Sequence, residues 1–256
     1  MGAFDSQGVP ILMYHSISER SGPTAISPRL LAAQLDVLAD HGFEVLPLST
    51  VAAGLCGDAP LPPRALALTF DDGYEDFATH AHGRLETRGY PATVFLSTAK
   101  VGGVADWESS LPGAPRIMSW DTIRELAAAG VVFGSHGVSH RHLTGLSDTE
   151  LGTELTDSKQ AIEDHVAQPV DLFAMPYGST SPTVRRQVKK LYSCAVGTRL
   201  QRARHYEDPF DVARLDMWYF RDLRRWSRFL DGRAEGWFAA RRALRRCGKL
   251  MRRVSG

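Results

Sequence analysis

The feature that most limits the fold of this chain is an alternation. Short β-branched and aromatic runs take turns with helical periodicity from residue 11 to residue 216. Strands are expected at 11–17, 43–48, 65–70, 93–97, 131–135, 171–175, 193–196 and 212–215. Helices are expected at 27–40 behind a Ser27-Pro28 cap, and at 75–88, 120–129, 148–166 and 182–191. Gly42, Gly89 and Gly130 stop the first three, and Ser147 with Glu150 forms a capping box on the fourth. Strands separated by helices of this length pair in parallel, and about seven or eight of them suit a closed barrel better than an open sheet. The fold class is therefore α/β, a (β/α) barrel in one domain with a helical C-terminal extension. Two stretches break the alternation, 54–63 and 101–115, both rich in Gly and Pro. Each is expected to be a loop, and because each precedes polar elements, each is expected to rim a cleft.

A chain of 256 residues can bury such a core without disulfides or a structural metal. Its 43% hydrophobic content excludes a disordered chain, and charges interrupt every apolar run short of membrane-spanning length. The balance of 30 Lys+Arg against 29 Asp+Glu excludes a globally basic nucleic-acid binder. Cys56, Cys194 and Cys247 lie far apart with no paired metal-ligand spacing, which fits a reducing compartment. Residues 1–10 lack a basic stretch followed by an apolar core, so a cytoplasmic location is expected.

The polar residues that could carry chemistry collect at expected strand ends, where barrels of this type place their sites. The strand 65–70 runs into Asp71-Asp72-Gly73. Adjacent carboxylates raise one another's pKa unless a cation or a shared proton intervenes, although Asp-Gly is also ordinary turn chemistry. The strand 131–135 ends at His136, with His140 and His142 following. A histidine pair four residues apart can meet one metal if the chain turns back, and the other reading is a His-rich surface loop. His15 follows the apolar run of the first strand and either points into the mouth or bonds to backbone in the core. Pro176-Tyr177-Gly178 is a rigid bend able to present a backbone N–H to a ligand, or simply a turn. Taken together, one carboxylate and two histidines for a metal, a second carboxylate, a third histidine and a backbone donor can hydrolyse an acyl group.

Thr69-Phe70-Asp71-Asp72-Gly73-Tyr74, Ser135-His136-Gly137-Val138-Ser139-His140 and Pro176-Tyr177-Gly178, in this order, resemble the polysaccharide deacetylase family. This family is also called the NodB-homology domain or carbohydrate esterase family 4. The resemblance covers residues 9–217 and implies a distorted (β/α) barrel of about seven strands. It implies Asp71 as general base, Asp72, His136 and His140 as ligands of Zn²⁺ (Co²⁺ or Ni²⁺ also suit them), and the Tyr177 N–H as oxyanion donor. The implied reaction removes the N-acetyl group of an N-acetylated amino sugar. Two positions depart from the common pattern. Ala174 stands where many members carry an Arg that orients the base, and no late Leu-His-Asp-like segment follows residue 217. The opening Ile11-Leu12-Met13-Tyr14-His15 instead resembles the circularly permuted poly-N-acetylglucosamine deacetylase branch, which implies His15 as general acid. Arg214 and Asp216 are the candidates for orienting Asp71.

Residues 218–256 form a separate expectation. Arg221, Arg224, Arg225, Arg228, Arg233, Arg241, Arg242, Arg245, Arg246, Lys249, Arg252 and Arg253 face only Asp222, Asp231 and Glu235. Trp237, Ala240, Leu244, Cys247, Met251 and Val254 recur at helical steps, which suits a basic amphipathic helix. Such a helix either lies on the inner face of an anionic membrane or packs on the barrel with a solvated basic face. The membrane reading would make a lipid-linked amino sugar the substrate, and nucleic acid ranks third. The rival functions are a catalytically silent carbohydrate-binding barrel, a membrane-surface binding protein, and, among enzymes, a deformylase or small-molecule amidase.

Overall fold

In the computed structural model, residues 8–108, 114–233 and Gly236 are described. Seven parallel strands close into a ring: β1 (Ile11–Tyr14), β3 (Ala65–Phe70), β4 (Thr93–Leu96), β5 (Val132–Ser135), β6 (Leu172–Ala174), β7 (Cys194–Leu200) and β8 (Val212–Asp216). The strand β2 (Glu44–Val45) stands outside the ring. It pairs with Ala65 and Leu66 at the start of β3, and β1 takes over the same edge from Ala67 to Phe70. On its other side β1 pairs Leu12 with Leu215 and Met13 with Asp216, which completes the closure. Every residue of β1, β3 and β4 is buried, as expected for strands covered on both faces.

Alternate residues divide the core in two. Leu12, Leu66, Leu68, Phe70, Val94 and Leu96 meet the surrounding helices, among them α1 (Pro28–Asp40) through Leu31, Leu35 and Leu38. Ile11, Ala67, Phe95, Ala174, Val196 and Val212 fill the lumen instead. Phe95 takes the space that Gly134 leaves, since a Cβ there would come within 2.6 Å of its ring. Asp71 continues the lumen-facing row of Ala65, Ala67 and Thr69, so the strand's own period of two aims it along the barrel axis.

The N-terminal end of the barrel departs from expectation. The segment expected as strand 43–48 followed by loop 54–63 holds the helix α2 (Leu48–Cys56). Its Leu48, Val51 and Leu55 plug the lumen, and Gly57 ends it in a left-handed turn (φ 90°). The remainder of that loop does not rim the mouth. Leu61, Pro62 and Pro63 line a cavity of about 150 Å³ with Val9, Pro10, Phe43 and Ala65. A loop that feeds a strand sits at that strand's N-terminal end, opposite the mouth.

Elsewhere the differences are at boundaries. The first strand breaks at His15, after which Ser16–Ile17 pairs with Ala25–Ile26 in a separate two-stranded sheet. The helix expected at 75–88 is a π-helical stretch, Phe77–His82, running into α3 (Gly83–Glu86). The helices α4 (Trp120–Ala128), α5 (Asp148–Val166) and α6 (Pro182–Val188) follow. Last comes α7 (Leu223–Leu230), capped by Asp222. Trp226, Phe229 and Leu230 of α7 are buried in the main core, and the Trp226 indole N–H donates to the Gln34 carbonyl at 3.2 Å. The first turns of the Arg-rich segment thus pack against α1, with Arg224 and Arg228 exposed. The expected amphipathic repeat from Trp237 onward, with Cys247, lies outside the described residues. Among the described residues no helix is long and apolar enough to cross a membrane.

Candidate active site

Three chain segments meet at the C-terminal mouth of the barrel: the turn after β3, the turn after β5 and the bend after β6. Each needs a left-handed residue to turn back. Asp72 (φ 73°), His140 (φ 57°) and Tyr177 (φ 57°) are three of five non-glycine residues with positive φ among those described. Such conformations cost about 1–3 kcal/mol each and gather at functional sites, so their concurrence here argues against three ordinary turns.

Asp71 is held by its own chain. The guanidinium of Arg214, 0% exposed inside the lumen, donates to both of its carboxylate oxygens, at 2.6 Å and 2.7 Å. Arg214 is itself fixed, donating from Nε to the Gly197 carbonyl at 2.9 Å and from Nη1 to Thr69 Oγ1 at 3.1 Å, beside the Phe95 ring. Burial alone would raise the Asp71 pKa, but Arg214 with His136 and His15 holds it below the usual carboxylate range. Of the two candidates for orienting Asp71, Arg214 therefore makes the contact. Asp216 accepts instead from the Trp218 N–H at 3.0 Å and caps the following turn.

Asp72 is different. Its Oδ1 is buried and no hydrogen-bond donor is aligned on it, although His140 Nε2 lies at 3.2 Å and His136 Nε2 at 3.5 Å. One ligand atom from each of these three buried residues falls within 4.8 Å of the others. His136 donates its Nδ1–H to the Ala174 carbonyl at 2.8 Å, which leaves the Nε2 lone pair facing Asp72. Burial pushes the His136 imidazole down to about 4. Burial opposes ionisation of Asp72 too, yet His140, His15 and His136 together bring it below the usual range. An anionic oxygen facing an imidazole lone pair without a donor between them is the donor set of a divalent cation. On that ground the three residues fit a metal.

The rest of the mouth is aromatic. Trp107, in the loop expected at 101–115, stacks on His140 with ring centroids 4.0 Å apart. This part of the expected loop does rim the cleft, and no pattern in the sequence signals the stack. Tyr177, 44% exposed, places its hydroxyl 3.1 Å from His140 Nδ1 and stacks on the exposed His142 at 4.1 Å. His142 thus lies outside the three-residue cluster. Behind the bend, Gly178 and Ser179 close the turn on the Met175 and Pro176 carbonyls. His15, at the break after β1, brings Nε2 to 3.9 Å from Asp71 Oδ2 with its side chain 20% exposed. The structure therefore gathers Asp71, Asp72, His136, His140, His15 and Tyr177 at one mouth.

Residues 58–194 match the family model described as polysaccharide deacetylase. YxkH of Bacillus subtilis (strain 168), named as a polysaccharide deacetylase, is 28% identical over 192 residues, covering 74% of this chain and 64% of that protein. The poly-beta-1,6-N-acetyl-D-glucosamine N-deacetylase of Escherichia coli (strain K12) is 24% identical over 132 residues, 49% of this chain and 20% of that one. The chain therefore spans less than two thirds of the length of either relative. Among solved structures, the Streptococcus pyogenes deacetylase PplD in complex with acetate superposes with a TM-score of 0.71 at 25% identity, covering 82% of this chain and 92% of that one.

Proposed function

This chain belongs to the polysaccharide deacetylase family, and from that premise we propose that it removes the N-acetyl group from an N-acetylhexosamine unit of a glycan, releasing acetate and a free amine. The observation that carries the proposal is the division between two neighbouring carboxylates. Asp71 takes a two-point contact from Arg214, while Asp72 leaves an oxygen open toward His136 and His140.

Asp72, His136 and His140 would hold a zinc ion. When bound, that ion lowers the pKa of water and polarises an acyl carbonyl. Asp71 accepts the proton of the attacking water. Arg214 keeps it ionised and fixes its two oxygens, so its contribution is a constant acceptor in a constant place. His15, 3.9 Å from Asp71 Oδ2, donates a proton to the departing amine nitrogen, as in the permuted branch that the first strand resembles. The backbone N–H of Tyr177, at the left-handed bend after β6, supports the developing oxyanion.

The test is metal content by elemental analysis on wild type and His140→Ala, followed by acetate release from chains of β-linked N-acetylglucosamine. About one metal per wild-type chain, lost in the variant, together with acetate release that needs Asp71, is the expected result. Bound metal without acetate release would move the chain to the carbohydrate-binding reading. No metal uptake would remove the hydrolytic mechanism altogether.

A further inference from the structure

The turn that carries both histidines is held from outside any of the family's motifs. Glu154, on α5 and only 6% exposed, reaches under residues 137–139. Its Oε2 accepts the N–H of Val138 at 2.6 Å and of Ser139 at 3.0 Å, and its Oε1 accepts the Ser139 hydroxyl. The remaining amide between the histidines, that of Gly137, donates to Ser135 Oγ at 3.1 Å. Ser135 Oγ in turn lies 2.6 Å from Ser158 Oγ, and Ser158 donates to the Glu154 carbonyl at 2.6 Å. All three backbone N–H groups between His136 and His140 thus end on side chains tied to one helix.

The space is equally constrained. A Cβ on Gly137 (φ 78°) would come within 2.9 Å of Glu154 Oε2, so this turn and this carboxylate require one another. Successive amides curled around an anion form a concave cradle, and charge-assisted hydrogen bonds are the strong ones. A buried carboxylate also costs desolvation, which a neutral polar group or an apolar contact would avoid. Its placement here fixes one thing, the path of the chain from the strand-end His136 to the left-handed His140.

We propose that Glu154 is the positioning residue of the cation site. Through the Val138 and Ser139 amides it sets the approach of the His136 and His140 Nε2 atoms to Asp72, and hence the affinity for a divalent metal. This inference rests on the reading of Asp72, His136 and His140 as metal ligands.

Chelator competition with Zn²⁺ and the visible absorption of the Co²⁺ form test it, with circular dichroism to verify folding. Glu154→Ala is expected to weaken metal binding about 10- to 100-fold and to alter the Co²⁺ spectrum. Glu154→Gln can keep its oxygen on both amides and turn its NH₂ toward Ser139 Oγ, so it should stay within about threefold of wild type. If Glu154→Ala does not fold, Glu154→Asp takes its place, because its shorter arm cannot reach both amides, and a loss of about tenfold is expected. A folded Ala or Asp variant that binds metal as tightly as wild type overturns the inference alone. Wild type that takes up neither Zn²⁺ nor Co²⁺ overturns the metal reading, and this inference with it.

Discussion

Asp71 and Asp72 are adjacent in sequence and equally buried, yet the chain treats them in opposite ways. Asp71 receives a two-point guanidinium contact from a strand 143 residues away. Asp72 is turned out of line by its left-handed backbone and faces two imidazoles with an oxygen that nothing donates to. The first carboxylate is engaged within the polypeptide, and the second keeps an oxygen open toward two imidazoles. Two like charges side by side are thereby separated into two environments, one beside a guanidinium and one beside two histidines. A dyad built this way does not need to share a proton, so both members are ionised together.

The division can be broken by experiment. The largest effect is expected from Asp71→Asn, which should lower kcat by about 10²- to 10⁴-fold while leaving metal content at the wild-type level. Asp72→Ala should release the metal instead. Equal metal loss in both variants would erase the distinction. Next in size, Arg214→Met leaves Asp71 as an uncompensated buried charge and should cost about 3–5 kcal/mol in denaturant unfolding at neutral pH. Adding Asp71→Asn to it should recover most of that loss, and additive losses would show that the pair is not the cause.

Acid sharpens the same comparison. The Asp71 carboxyl is depressed in the folded state, so its stabilising share is present above the unfolded value of about 3.9 and is lost as pH falls below it. Without Arg214, burial raises the same group, and acidification relieves the variant. The stability gap between wild type and Arg214→Met should therefore narrow as pH falls toward 4 and below, and a gap independent of pH would argue against the assignment. The smallest effect is expected at the aromatic rim. Trp107→Ala removes a stack worth about 0.5–1.5 kcal/mol, visible as a lowering of Tm by about 2–4 °C per kcal/mol, with the wild-type melting point as the disproving result.

Local signals were read well and distant ones were not. The strand β3 is legible to the residue because its five apolar residues and Thr69 are bounded by Arg64 and Asp71 with no competing period. The helix α5 is legible because Ser147 and Glu150 make a complete capping box. The helix α2 is hidden because Pro47 offers it no side-chain cap and Gly54 sits within it. At the mouth, residues at strand ends could be nominated from sequence because chain order places them there. Arg214 could be named only as one of two candidates, since its alternative, Asp216, has the same reach along the strand. Trp107 and Glu154 gave no signal. The first acts from a Gly-rich excursion, and the second is a glutamate on a helix whose other acids are exposed or half-buried, so only the packed structure separates it from them.

The closure of the ring has a consequence for the order in which the chain becomes competent. Both aspartates and both histidines of the cluster have been synthesised by residue 140. The strand β1, which precedes His15, pairs with β3 on one edge and with β8, at residues 212–216, on the other. Arg214 arrives with that same last strand. A nascent chain therefore holds the proposed cation ligands some seventy residues before Arg214 can seat Asp71. In the proposed mechanism the base is in place only once the barrel has shut.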